Sequence, residues 1–214
     1  MQLLLFGAPG VGKGTQAKLL SSKFNIPHIS TGEILRQAVK DETELGKKAQ
    51  EIMSRGDLVP DEIMIGIIKY RLSKIDCNEG FILDGFPRTE KQAKELDNLL
   101  NEMDRGEIKL INIYAEEEEI IKRLNNRRAC KECGQIFTLN EIKERSNCPN
   151  CGAEESFYLR DDDKEDVIRK RMEIFRTTTE PVLKYYKKNG KVVSVNGLGS
   201  VDEVNKQILK ALGI

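Results

Sequence analysis

Short, continuous apolar runs alternate with stretches whose apolar residues recur every three or four positions along most of this chain. Residues 3–6, 81–83, 110–114 and 192–195 are the apolar runs, the pattern of strands buried on both faces of a parallel sheet, and 26–30 is a candidate fifth. Residues 15–24, 61–74, 90–103, 117–128, 164–188 and 201–212 carry the helical spacing and read as crossover helices. The expected fold class is α/β: a doubly wound, parallel five-stranded sheet flanked by helices. Two stretches interrupt the alternation. Residues 31–56 read as helices with no strand after them, and 129–163 show only weak periodicity among glycines, cysteines and polar residues, as a separate small unit would. The expected division is a core of 1–29, 60–126 and 164–214, a helical insertion at 30–59 and a small subdomain at 127–163.

Length and charge narrow the classes. At 214 residues one core with insertions is favoured over two full domains. The 35 basic residues are balanced by 35 acidic ones, so no overall field draws the protein onto nucleic acid or an anionic membrane, and any basic site must be local. No apolar run approaches the ~18 residues that span a bilayer. The apolar start, Met1 to Gly7, has no basic region before it and runs into a glycine motif, so it reads as a strand and points to a cytoplasmic protein. Glu116-Glu117-Glu118-Glu119 suits the start of a helix, where negative charge complements the dipole.

The sharpest chemistry lies at Gly7-Ala8-Pro9-Gly10-Val11-Gly12-Lys13-Gly14-Thr15, between a predicted strand and a predicted helix. Glycines let backbone N–H groups converge on phosphate oxygens, the helix N-terminus adds partial positive charge, and Lys13 supplies a mobile cation. The strict pattern has Ser or Thr directly after the lysine; here Gly14 stands there and Thr15 follows, so a magnesium ion would be held through water rather than by a hydroxyl.

Four of the five cysteines form Cys130-x-x-Cys133 and, after fourteen residues, Cys148-x-x-Cys151, each pair followed by glycine (Gly134, Gly152). That spacing suits a tetrahedral structural zinc site with no open position. Cys77 reads as a packed thiol, and the single histidine, His28, as a packed or hydrogen-bonded residue beside the second strand.

The glycine motif resembles the P-loop of nucleoside monophosphate kinases, and Asp84-Gly85-Phe86-Pro87-Arg88, at the end of a predicted strand, matches a second segment of that family. Within it, Ser30-Thr31-Gly32-Glu33-x-Leu35-Arg36 and Gln92, four residues past Arg88, resemble the adenylate kinases, and the cysteines resemble their long form with a zinc-binding lid. The resemblance covers nearly the whole chain. It implies reversible, Mg²⁺-dependent phosphoryl transfer from ATP to AMP giving two ADP, a structural Zn²⁺, and a monomer without nucleic-acid or membrane partners.

Residue by residue, the resemblance implies catalytic roles for Lys13, Asp84, Arg88, Arg123, Arg160 and Arg171. It implies ATP contacts at Gly10, Val11, Gly12, Lys13, Gly14, Thr15, Arg123 and Arg127, at Phe137 and Thr138 in the lid, and at Gly199 after the last strand. AMP contacts are implied at Thr31 and Arg36, at Asp57, Leu58 and Val59, along Gly85, Phe86, Pro87 and Arg88, at Gln92, and at Arg160 and Arg171. Asp57 departs from the Lys or Gly-Lys that many relatives carry. Arg123 and Arg127 lie four apart on the predicted 117–128 helix and so are expected on one face.

Two other readings are weighed against this one. A UMP/CMP kinase usually carries Ala where Thr31 stands, and Gln92 and the long lid also argue against it. A zinc-ribbon nucleic-acid-binding ATPase wants a basic stripe or interleaved aromatics around the cysteines, whereas Glu132, Glu141, Glu144, Glu154 and Glu155 offset the nearby lysines.

Overall fold

In the first strand, β1 (Gln2–Phe6), Leu3 and Leu5 point to one face and Leu4 and Phe6 to the other, and all four are buried, so the sheet must be covered on both sides. The computed structural model describes residues 1–188 and 192–214. After β1 come α1 (Lys13–Phe24), β2 (His28–Ser30), α2 (Thr31–Lys40), α3 (Glu44–Ser54) and α4 (Asp61–Leu72). They are followed by β3 (Phe81–Asp84), α5 (Glu90–Glu102), β4 (Ile108–Tyr114) and α6 (Glu117–Asn125). A second, smaller group contains β5 (Arg127–Cys130), β6 (Ile136–Thr138), α7 (Leu139–Ile142) and β7 (Phe157–Tyr158). The chain then returns through α8 (Glu165–Ile174), α9 (Glu180–Lys187), β8 (Val192–Asn196) and α10 (Val201–Leu212).

The main sheet has the order β2-β3-β1-β4-β8, and every pairing in it is parallel. The predicted doubly wound sheet of five strands is therefore present. Its two faces carry separate apolar clusters. Leu4, Phe6, Leu83 and Leu110 pack with α4, α5 and α9, whereas Leu3, Leu5, Ile82 and Ile111 pack with α1, α6, α8 and α10. Helices α2 and α3 contribute Leu35 and Ala49 to the first cluster. No helix among the described residues is long and apolar enough to cross a membrane.

Two helical expectations need correction. The helix expected over 117–128 ends at Asn125, so Arg127 does not share a helix face with Arg123. Asn126 caps the helix, its carbonyl accepts from Leu139 N, and Arg127 enters β5, which pairs antiparallel with β6 and β7. Tertiary pairing wins there over a helix-compatible local sequence. The helix expected over 164–188 is interrupted by one π turn, Phe175–Thr179, just before Pro181, which brings no N–H to the helical ladder.

Candidate active site

The loop between β1 and α1 is shaped by where a side chain cannot go. Gly7 has φ 140°, and a Cβ there would lie 2.2 Å from the Ile113 carbonyl oxygen. Gly12, at φ 107°, is the N-cap of α1 and has no side-chain cap, which leaves the first-turn N–H groups for a ligand. The Lys13 ammonium folds back over this loop and donates to the carbonyl oxygens of Gly7 (2.8 Å) and Ala8 (2.9 Å). Burial lowers its pKa to about 8; Asp84 opposes the shift, and Arg88, Arg171 and Arg127 add to it.

Asp84 ends β3 next to this loop, and a Cβ on Gly14 would lie 3.4 Å from its Oδ2. Burial alone would raise the carboxyl, but His28, Lys13 and Arg88 outweigh it and hold the pKa below the ordinary carboxylate value. The buried His28 Nε2 lies 3.5 Å from Asp84 Oδ2 and makes no hydrogen bond among the described residues. The chain then turns through Gly85, at φ 80°, where a Cβ would meet the Thr31 hydroxyl and the Arg88 guanidinium at 2.9 and 3.0 Å. Thr31 Oγ1 donates to Gly85 O at 2.9 Å, and Arg88 Nε donates to the same oxygen at 2.8 Å. The start of α2 and the turn after β3 are thereby tied together. Phe86 is buried and Val59 joins the same apolar cluster, while Asp57 pairs through its side chain with Lys170 (2.5 Å) and Arg55 (3.4 Å).

Gln92 is only 2% exposed, and its amide is held at both ends: Oε1 accepts from Arg88 N at 2.7 Å and Nε2 donates to Asp61 Oδ1 at 2.7 Å. The sequence assigns no role to Asp61, the first residue of the helix expected over 61–74. Its only sequence signal is a carboxylate at the start of a helix, which many surface residues share.

The arginines converge around two carboxylates. Asp163, with a side chain 1% exposed, accepts from Arg127 Nε (2.8 Å) and Nη2 (2.5 Å) and from Arg171 Nη1 (3.2 Å). Asp162 is gripped by Arg160 Nε (2.8 Å) and Nη2 (2.5 Å) and lies 3.2 Å from Arg171. Burial would raise the Asp162 carboxyl, yet Arg171, Arg160 and Arg36 together drive it far below the usual carboxylate range. Burial also lowers Arg36 and Arg171 to about 10, with neighbouring arginines contributing in each case, and both remain charged at neutral pH. Arg123 stands apart and donates to Gly197 O at 2.9 Å, beside Gly199. The signal in the sequence that could have found this cluster is the run Asp161-Asp162-Asp163 directly after Arg160.

In the small unit, the four sulfurs of Cys130, Cys133, Cys148 and Cys151 lie within 4.8 Å of one another, and two pairs are 3.7 Å apart. A tetrahedron with metal–sulfur bonds of ~2.3 Å has edges of about 3.8 Å, so the donor set fits a metal ion such as zinc. Burial would raise the Cys130 thiol, but the N–H groups of Cys133 and Glu132 and the Ser156 hydroxyl lower it to about 6, which favours the ligating thiolate. Phe137 packs edge-on against Phe157 at 5.6 Å, and Thr138 caps α7 in a reciprocal box with Glu141. Both side chains thus have structural partners within the small unit.

This unit touches both the core and residues 30–59. Lys18 of α1 reaches Gln135 (3.2 Å), and Lys40 at the end of α2 reaches Glu132 (3.3 Å). The glycine loop, Asp84, Arg88 and the arginine cluster are brought together at the carboxyl ends of β1 and β3, where open parallel sheets bind ligands.

Comparison with known proteins gives one consistent answer. The family described as adenylate kinase matches residues 5–191. The chain is 51% identical to an adenylate kinase of Caldicellulosiruptor bescii, covering 100% of both chains. It is 49% identical to adenylate kinases of Archaeoglobus fulgidus, over 97% of this chain and 96% of the relative, and of Thermodesulfovibrio yellowstonii, over 99% of each.

Proposed function

The chain belongs to the adenylate kinase family and catalyses phosphoryl transfer between ATP and AMP, and from that premise we propose how its residues share the task. Phosphoryl transfer asks the protein mainly to fix positions and neutralise charge on the moving group. The observation that carries the assignment is the Lys13 ammonium folded over a glycine loop with uncapped N–H groups, with Arg88 held at the turn after β3 and Arg127 and Arg171 converging on Asp163.

The loop from Gly10 to Thr15 holds the ATP phosphates, and Lys13 follows the transferring group. Arg88 and Arg36 hold the AMP phosphate, while Thr31, residues 57–59 and the turn through Gly85, Phe86 and Pro87 form the wall of the AMP site. Arg123, Arg127, Arg160 and Arg171 bridge the two nucleotides, and Asp162 and Asp163 hold Arg127, Arg160 and Arg171 together for that task. Gln92 reads the adenine of AMP; Phe137, Thr138 and Gly199 lie toward the base of ATP.

Adenylate kinases use Mg²⁺, which supplies charge neutralisation on the phosphates. Asp84, ionised and a hard oxygen donor, is the residue here that suits it, acting through water because Gly14 offers no hydroxyl. Zn²⁺ on the four cysteines has no open position and serves the fold of residues 127–163. That unit and residues 30–59 are the two covers that keep water from the transferring group, hinged on a core of 1–29, 60–126 and 164–214. The enzyme acts as a cytoplasmic monomer.

The test is a coupled assay with ATP, Mg²⁺ and a panel of nucleoside monophosphates. AMP should exceed UMP, CMP and GMP in kcat/KM by about a hundredfold or more, as a site built to hydrogen-bond one base allows. Comparable rates with UMP or CMP would overturn the AMP-site assignment.

A further inference from the structure

Gln92 is an ambiguous reader. Its amide presents a donor and an acceptor of nearly the same shape, so a half-turn of the side chain exchanges them, and only its neighbours decide which end points where. Two neighbours do so here. Arg88 N–H can only donate, and it meets Oε1 at 2.7 Å; the Asp61 carboxylate can only accept, and it meets Nε2 at 2.7 Å. The opposite setting would press the amide NH₂ against an N–H and the amide oxygen against a carboxylate, in a side chain that is 2% exposed and has no water to turn to.

Asp61 is itself fixed. Its Oδ2 accepts from Thr89 Oγ1 at 3.1 Å, and the same hydroxyl accepts from Gln92 N at 3.1 Å as the cap of α5. The carboxylate therefore reaches Gln92 by two routes, directly to the amide and through the cap that sets the backbone. Once those bonds are made, the amide keeps one N–H on Nε2 and one lone pair on Oε1. A donor beside an acceptor is the complement of an adenine edge, which offers a ring nitrogen as acceptor and N6–H as donor. A 6-oxo purine carries an acceptor in place of N6–H and opposes the oxygen.

We propose that Asp61 is a positioning residue for base selection: by fixing the orientation of the Gln92 amide, it makes the monophosphate site accept a 6-amino purine and reject a 6-oxo purine. The inference rests on the reading that Gln92 faces the base of AMP and adds to it the residue that determines which group Gln92 presents.

The experiment measures kcat/KM for AMP and for IMP, with ATP as donor, in wild type, Asp61→Ala, Asp61→Asn and Gln92→Ala, together with the melting temperature of each. Asp61→Ala should lower the AMP-to-IMP ratio by about tenfold or more, mainly through the KM for AMP, because the amide is then held at one end only. Asp61→Asn should restore most of the ratio, since an amide oxygen still accepts from Gln92 Nε2 and its NH₂ can donate to Thr89 Oγ1. Gln92→Ala should lose the ratio as well. If Gln92→Ala loses it while Asp61→Ala keeps it within about twofold, or weakens both substrates equally alongside a lower melting temperature, the role of Asp61 is overturned and the reading of Gln92 stands. If Gln92→Ala leaves the ratio unaltered, that reading fails and the inference fails with it.

Discussion

Lys40, the last residue of α2, crosses the cleft to the turn between Cys130 and Cys133, placing its Nζ 3.3 Å from Glu132 Oε2 and 3.4 Å from the Lys131 carbonyl oxygen. This contact joins the two inserted segments directly. Both side chains are more than half exposed, so the pair contributes ~0–1 kcal/mol and is screened by salt. Lys40→Ala should therefore raise the open population of the covers by no more than about fivefold. Paired fluorophores on α3 and the cysteine unit would measure this, and the difference from wild type should vanish in ~1 M salt. A larger effect that persists in salt would mean the contact does more than a surface ion pair.

Lys13 makes ATP binding sensitive to alkaline pH. Its pKa in the ligand-free protein is about 8, below the ordinary 10.5, and the phosphates of ATP favour the charged form and raise it again. Above about pH 8, ATP binding should take up a proton, visible by calorimetry in buffers of different ionisation enthalpy, and affinity should fall with rising pH. The folded chain also binds fewer protons than the unfolded one between about pH 8 and 10.5, so this group makes ligand-free stability rise across that window. Lys13→Ala should abolish both effects and lower kcat by ~10²-fold or more. Proton uptake that survives the substitution would assign it elsewhere.

Arg88→Lys tests geometry apart from charge. The guanidinium donates from Nε to Gly85 O while its other nitrogens remain for a phosphate, an arrangement one ammonium cannot reproduce. Losing one charged hydrogen bond costs ~1.5–3 kcal/mol, so kcat/KM for AMP should fall about 10- to 100-fold. The KM for ATP should change far less, and an equal loss for both nucleotides would place Arg88 between them instead.

Metal removal should act on one part of the molecule. The small unit buries Ala129, Cys130, Ile142 and Cys148 but joins neither apolar cluster of the sheet, so metal binding must provide much of its folding energy. Elemental analysis should find one ion per chain. A strong chelator should lower the melting temperature and accelerate hydrogen exchange in 127–163, with exchange in β1 unchanged. Unaltered exchange in 127–163 after complete metal loss would show that the cysteines do not hold the unit together.

The core was legible because its strands are buried on both faces, and 3–6, 81–83 and 110–114 stand out as apolar runs for that reason. The phosphate loop was legible because its glycines, lysine and helix start are contiguous. Arg127 was misplaced because Glu117 to Arg128 holds a helical pattern to its end, and only pairing with residues 136–138, themselves half-exposed, draws it into a strand. Asp61 was invisible for another reason. It lies 31 residues from Gln92, and nothing but the packing of α4 beside α5 brings the two together. Asp162 and Asp163 adjoin Arg160 in the chain, but their pairing with Arg127 and Arg171 appears only once those residues arrive from other elements.

The separation of the sheet's two faces has a mechanical consequence. Leu35 and Ala49 fasten α2 and α3 to the face of Leu4 and Phe6, while Ile120, Leu124, Ile168 and Met172, on the helices that flank the cysteine unit, fasten it to the face of Leu3 and Leu5. The two inserted segments are anchored on opposite faces of one sheet and meet away from it, where Lys40 reaches Glu132 and α3 packs near Asp161 to Asp163. Loosening one side of β1 should therefore free one cover and leave the other seated: Leu4→Ala should speed hydrogen exchange in 31–56, and Leu5→Ala in 127–163. Equal acceleration of both segments by either substitution would show that they move as a single jaw.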